Sequence, residues 1–129
     1  MADEKKRRPV VLLVEDEGPL AGAVCDNLED DFEFEVAGNA DEALLLLGTR
    51  QFDAIVSDQM MPGKKQGLDF LVEAMERQPN AKRILITGYV NPDLLVRSVP
   101  LANLSACLMK PMSMAELRQA LHTALGLSA

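Results

Sequence analysis

The chain has 129 residues, a length that fits one domain able to bury a substantial core without help from disulfides or metal. A hydrophobic share of 48% and a charged share of 26% exclude a disordered or collagen-like chain. Thirteen basic against twenty acidic residues leave a net charge of −7, which argues against direct nucleic-acid binding and favours a cation or a basic protein surface.

Short apolar runs alternate with amphipathic ones, the pattern of a parallel sheet with crossover helices. The runs Val10–Val14, Phe34–Ala37, Ala54–Val56, Ile84–Ile86 and Ala106–Met109 have strand length, and several are apolar throughout, as strands covered on both faces are. Pro19 suits a first helical position, with Leu20, Ala21, Val24, Cys25 and Leu28 on one face. Asn39 and Glu42 resemble a capping box, followed by Leu44 and Leu47 and a stop at Gly48. Leu68, Leu71, Val72 and Met75 keep helical spacing until Pro79. Asn91-Pro92 starts a helix carrying Leu94, Leu95 and Val99, which Pro100 should cut short. Ser113 and Glu116 form a second capping box, opening a last helix with Met114, Leu117, Leu121, Ala124 and Leu125 inward. The expected fold is (βα) repeated five times in one α/β domain.

Cys25 and Cys107 read as small core residues and His122 as a boundary residue; together they are too few for a disulfide framework or a zinc site. Leu44–Leu47 reads as core plus spillover. No apolar stretch reaches the roughly 20 residues of a membrane span. The charged start Met1–Arg8, followed by a short apolar run, lacks the features of a signal peptide. A reduced, cytoplasmic protein with no membrane partner is expected.

In an open parallel sheet, ligands bind beyond the carboxyl ends of the strands. Glu15 and Asp16 follow the first apolar run, Ser57 and Asp58 the third, Thr87 the fourth and Lys110 the fifth. Right-handed crossovers bring these strand ends to one edge. Three carboxylates ~4 Å apart would repel by about 4 kcal/mol per pair at an effective dielectric of 20, so the cluster calls for a hard cation such as Mg²⁺. A carboxylate is also a nucleophile able to take a phosphoryl group, with Thr87 and Lys110 placed to neutralise its oxygens.

Val11–Glu17, Ile55–Pro62, Leu85–Tyr89 and Leu108–Pro111 together resemble the receiver domain of two-component response regulators, of the chemotaxis-regulator type. The resemblance implies a flavodoxin-like, doubly wound parallel sheet of strand order 2-1-3-4-5. It implies a receiver over residues 9–127 preceded by a flexible basic tip, residues 1–8. Asp58 would be the phosphoacceptor, assisted by Thr87 and Lys110. Asp16, Asp58, the backbone carbonyl of Met60 and, largely through water, Glu15 would hold Mg²⁺. Pro111 would be a cis proline orienting Lys110. The implied function is that of a phosphorelay domain. It takes a phosphoryl group from a histidine kinase or phosphotransfer protein and switches affinity for a downstream protein target. No enzyme activity is implied beyond self-phosphorylation and self-dephosphorylation.

The departures from the family pattern fall on the signalling positions. Four residues separate Pro62 from Gly67 where three are usual. Cys107 stands where the family's switch aromatic is expected, and Asn103 where a glycine is usual. The switch set would be Thr87, Tyr89 and Cys107, with Tyr89 either shielding the loop or replacing the missing aromatic. Two alternatives share this sequence: a receiver piece of a larger hybrid kinase or multidomain regulator, and a phosphate-independent docking module. An aspartyl phosphatase is disfavoured, because Asp58 is followed by Gln59-Met60 and no acid sits two residues on.

Overall fold

The computed structural model of the chain describes residues 7–60, 63, 66–88 and 100–127. The elements run β1 (Val10–Val14), α1 (Gly18–Leu28), β2 (Glu33–Ala37), α2 (Ala40–Leu47), β3 (Ala54–Asp58), α3 (Gly67–Arg77), β4 (Lys82–Thr87), β5 (Ala106–Met109) and α4 (Met114–Leu125). The five strands form one parallel sheet in the order β2-β1-β3-β4-β5, the flavodoxin-like arrangement expected. Tyr89 and the helix expected over 91–99 lie outside the described residues.

Alternation along the strands divides the apolar side chains between two cores. Leu12, Val14, Ile55 and Leu85 pack with Phe70, Leu71 and Ala74 of α3 and Ala43 and Leu47 of α2. Val11, Leu13, Val56, Ile84 and Ile86 pack on the other face with Val24 and Leu28 of α1 and Leu117 and Leu121 of α4. β1, β3 and β4 are therefore covered on both sides, which is why their sequences are nearly continuous hydrophobic runs. Cys25 is partly exposed and joins neither core, so the expectation of a core residue fails there. Burial, reinforced by the charges of Asp26 and Glu29, raises its pKa. Cys107 packs against the α2/α3 side.

Local chemistry sets the helix ends. The Ser113–Glu116 capping box is complete, each side chain bonding the other's backbone N–H at 3.0 and 2.7 Å. At α2 only half of the box forms. Asn39 accepts from Glu42 N–H at 2.8 Å, but the Glu42 carboxylate accepts from Gly38 N–H, one residue before the cap. Residues 100–102 are helical, while the helix that Pro100 was expected to cut short lies outside the described residues. Proline's fixed φ is compatible with a helix wherever its missing N–H is not required. Asn103 follows with φ of 47°, a left-handed conformation that asparagine tolerates better than most side chains.

Buried polar side chains tie the loops together. Gln78 accepts from Phe52 N–H at 2.8 Å and donates to the carbonyls of Leu47 and Arg50 at 3.0 and 2.8 Å. Arg83 donates to the carbonyls of Ala102 and Ala81 at 2.7 and 2.6 Å, and burial lowers its pKa. At the opposite pole from the carboxyl strand ends, Arg8 donates to the carbonyls of Glu29 and Phe32. Gln78→Leu should strand three backbone groups, two of them buried, and cost about 3 kcal/mol. Urea unfolding would report this loss, and an unchanged midpoint would refute the role assigned to Gln78.

Candidate functional site

The candidate site lies at the carboxyl ends of β1, β3, β4 and β5. Glu15 continues β1 by donating its N–H to Ala37 O at 2.9 Å, which fixes the Glu15 backbone at the sheet edge. Its carboxylate turns back to accept Glu17 N–H at 3.2 Å. β3 runs on through Asp58, whose register partner on β4 is Ile86, so the acidic side chain is carried by the last residue of the central strand. Asp58 is 4% exposed. Ser57 Oγ donates to the Asp58 carbonyl at 3.0 Å, and Met60 N–H lies at 3.4 Å from Asp58 Oδ1.

Glu15, Asp16 and Asp58 each present a carboxylate oxygen within 4.8 Å of the others, a spacing that could hold one metal ion. Lys110 Nζ approaches the same cluster and donates to Asp58 Oδ2 at 2.9 Å. The Lys110 backbone N–H bonds Thr87 O at 2.9 Å, which seats the end of β5 beside β4. The Lys110–Pro111 peptide is cis. Thr87 is fully buried at the end of β4, one residue beyond the partner of Asp58. The structure thus brings Glu15, Asp16, Asp58, Thr87 and Lys110 to one edge, and Met60 follows Asp58 with an exposed side chain.

The electrostatics fit an anionic pocket with a single cation. Burial is the main cause of the raised Glu15 pKa, reinforced by the charges of Asp58 and Asp16 and opposed by Glu17 N–H and Lys110. For Lys110, burial alone would lower the pKa. The hydrogen bond and charge of Asp58, with Glu15 and Glu17 behind it, outweigh burial and hold the ammonium above its ordinary value. Among the described residues, the three carboxylates once ionised and the one ammonium leave two negative charges uncompensated, a deficit that one divalent cation would fill. Oxygen-only ligands favour a hard ion such as Mg²⁺ over zinc.

Beside the cluster opens a cleft of about 450 Å³ lined by Glu17, Leu20, Gly88, Lys110, Pro111 and Met112. Two further residues belong to the site without having been singled out from the sequence. Glu17 holds Glu15 through its N–H and adds to the field on Lys110. Gln59 bonds the first turn of α3. Glu17 reads as an ordinary helix-start acid, and Gln59 carries no signal beyond standing next to Asp58.

A flavodoxin-like sheet with a carboxylate cluster and a lysine at this edge defines a receiver domain. A family model described as the response regulator receiver domain matches residues 11–122, and the chain belongs to this family. It is 34% identical over 105 residues to the hydrogenase transcriptional regulatory protein HoxA of Cupriavidus necator, covering 81% of this chain and 22% of that protein. The chain therefore spans about a fifth of the length of that curated relative. The signal receiver domain of an HD domain-containing protein from Pseudomonas fluorescens Pf-5 superposes with a TM-score of 0.86 at 29% identity, covering 93% of this chain and 96% of that one. A response regulator protein from Burkholderia pseudomallei, solved with a phosphorylated aspartic acid, calcium ion and citrate, gives a TM-score of 0.80 at 28% identity over 92% of this chain and 69% of that one.

The raised Glu15 pKa makes a signed prediction for metal-free protein. Folding favours the protonated carboxyl, so this contribution is complete below the ordinary value of 4.5 and is lost as pH rises through the elevated one. Glu15→Gln should therefore gain stability relative to wild type as pH climbs from 4.5 toward neutrality. Lys110 acts at the other end, its contribution being lost only above 10.5. Urea unfolding across pH with a chelator present checks the difference, and a pH-independent gap would contradict it.

Proposed function

We propose that the chain accepts a phosphoryl group on Asp58 from a phospho-histidine donor, a histidine kinase or a phosphotransfer protein, and thereby changes its affinity for a protein partner. The observation that supports this most directly is the convergence of Glu15 and Asp16 on Asp58, with Lys110 bonded to the same carboxylate. In the proposed step an Asp58 carboxylate oxygen forms the new O–P bond as the N–P bond of the donor breaks, its electron pair returning to the histidine nitrogen. Lys110 and the Thr87 hydroxyl then bind oxygens of the transferred group. Asp16, Asp58 and the Met60 carbonyl would hold Mg²⁺, with Glu15 acting on it largely through water. The chemistry such an ion would supply is positive charge against the phosphoryl oxygens. The phosphorylated aspartic acid of the Burkholderia pseudomallei relative supports the same chemistry.

The cleft between α1 and the Lys110–Met112 segment offers the donor an approach, with Leu20, Pro111 and Met112 as its apolar wall. The proposed receiver unit spans 9–127 behind a basic tip at 1–8, and acts in the cytoplasm without touching nucleic acid itself. Cys107, packed beneath the α2/α3 side, is too small to swing as an aromatic lever, which leaves Thr87 and Tyr89 to report the change. A second reading is that this receiver works within a longer regulator, a reading favoured by the greater length of the curated relatives.

Incubation with a small acyl-phosphate donor and Mg²⁺ should add one phosphoryl group by intact mass, and Asp58→Asn should abolish it. Equal labelling of the Asn variant would sink the assignment. Mg²⁺ at 100 times its dissociation constant should stabilise the wild type by about 2.7 kcal/mol. Asp16→Ala should raise the melting temperature of the metal-free protein while removing most of the Mg²⁺ shift. A wild-type melting curve indifferent to Mg²⁺ would rule out a metal site.

A further inference from the structure

Gln59 is the residue after the acceptor, and three of its four hydrogen-bonding groups are engaged around the site. Its N–H donates to Ile86 O at 2.8 Å, holding the end of β3 to β4. Its backbone carbonyl accepts Gly67 N–H at 3.0 Å. Its side-chain carbonyl accepts Leu68 N–H at 2.8 Å. These last two are consecutive donors in the first turn of α3, a turn that otherwise leaves four N–H groups without helical partners. The N-cap residue, Gln66, contributes no side-chain cap to that turn. The helix is seated so closely that a Cβ on Gly67 would fall 2.2 Å from the Asp58 carbonyl oxygen.

We infer that Gln59 is a positioning residue for the acceptor turn: it caps α3 from the phosphoacceptor side and ties the end of β3 to the start of α3, and so fixes the placement of Asp58 and the Met60 carbonyl. This rests on the receiver reading above. Residues that orient metal ligands without touching the metal commonly shift its affinity by about 10–100-fold. The Gln59 side chain should belong to that class.

The test titrates Mg²⁺ by calorimetry into the wild type, Gln59→Leu and Gln59→Asn, whose shorter amide cannot span to Leu68. Asn39→Ala serves as a comparison, removing a side-chain cap from α2 in place of α3. Both Gln59 variants should weaken Mg²⁺ binding about tenfold, and at saturating Mg²⁺ should still take one phosphoryl group from an acyl-phosphate donor. Asn39→Ala should lower the melting temperature and leave the Mg²⁺ dissociation constant within about twofold, since an ordinary lost cap acts on stability. If Gln59→Leu does not fold, Gln59→Asn carries the result. Unchanged Mg²⁺ affinity in the Gln59 variants, or an equal loss in Asn39→Ala, would reduce Gln59 to an ordinary helix cap and overturn the inference. A wild type that neither binds Mg²⁺ nor accepts a phosphoryl group would instead fail the receiver reading itself.

Discussion

Asp58 is nearly buried at the end of the middle strand, and Lys110 meets its carboxylate at 2.9 Å from the end of a strand two positions away in the sheet. Holding that contact requires β3, β4 and β5 to end together, which the parallel register achieves through Asp58 beside Ile86 and Thr87 beside Met109. Each strand must in turn be covered on both faces to keep its register, and the two cores supply that cover. The ion pair does not offset the charge around it, because Glu15 and Asp16 bring two further carboxylates within reach. Folding thus creates an electrostatic deficit at one edge, and the hydrophobic cores at its back sustain it.

Much of this was legible in the sequence, because the signals are local. β1 and β5 coincide with their apolar runs, and the polar residues after four of those runs meet at one edge. β3 and β4 run past their apolar runs to include Ser57, Asp58 and Thr87, since backbone pairing continues after side-chain hydrophobicity has stopped.

The polar residues that tie loops together through backbone groups were not legible. Gln78, Arg83 and Gln59 look like surface residues in sequence, yet each bonds backbone groups of a segment remote in the chain. No periodicity marks such a residue, because its partners are carbonyls and N–H groups that every residue type carries. The same applies to Glu42, whose nearest acceptable donor proved to be Gly38 N–H and not that of the cap residue.

Asn103 shows what kind of constraint a family pattern records. Its φ of 47° follows the last helical residue before the chain turns toward β5, at a position where glycine is usual. Asparagine reaches that conformation at modest cost, and Arg83 secures the turn from below through the Ala102 carbonyl. Selection at such a site acts on a dihedral angle, and the letter in the sequence is one of several ways to satisfy it. Substitution by aspartate or glycine preserves the turn, whereas a β-branched residue of similar size does not, so tolerance there follows backbone handedness more closely than side-chain resemblance.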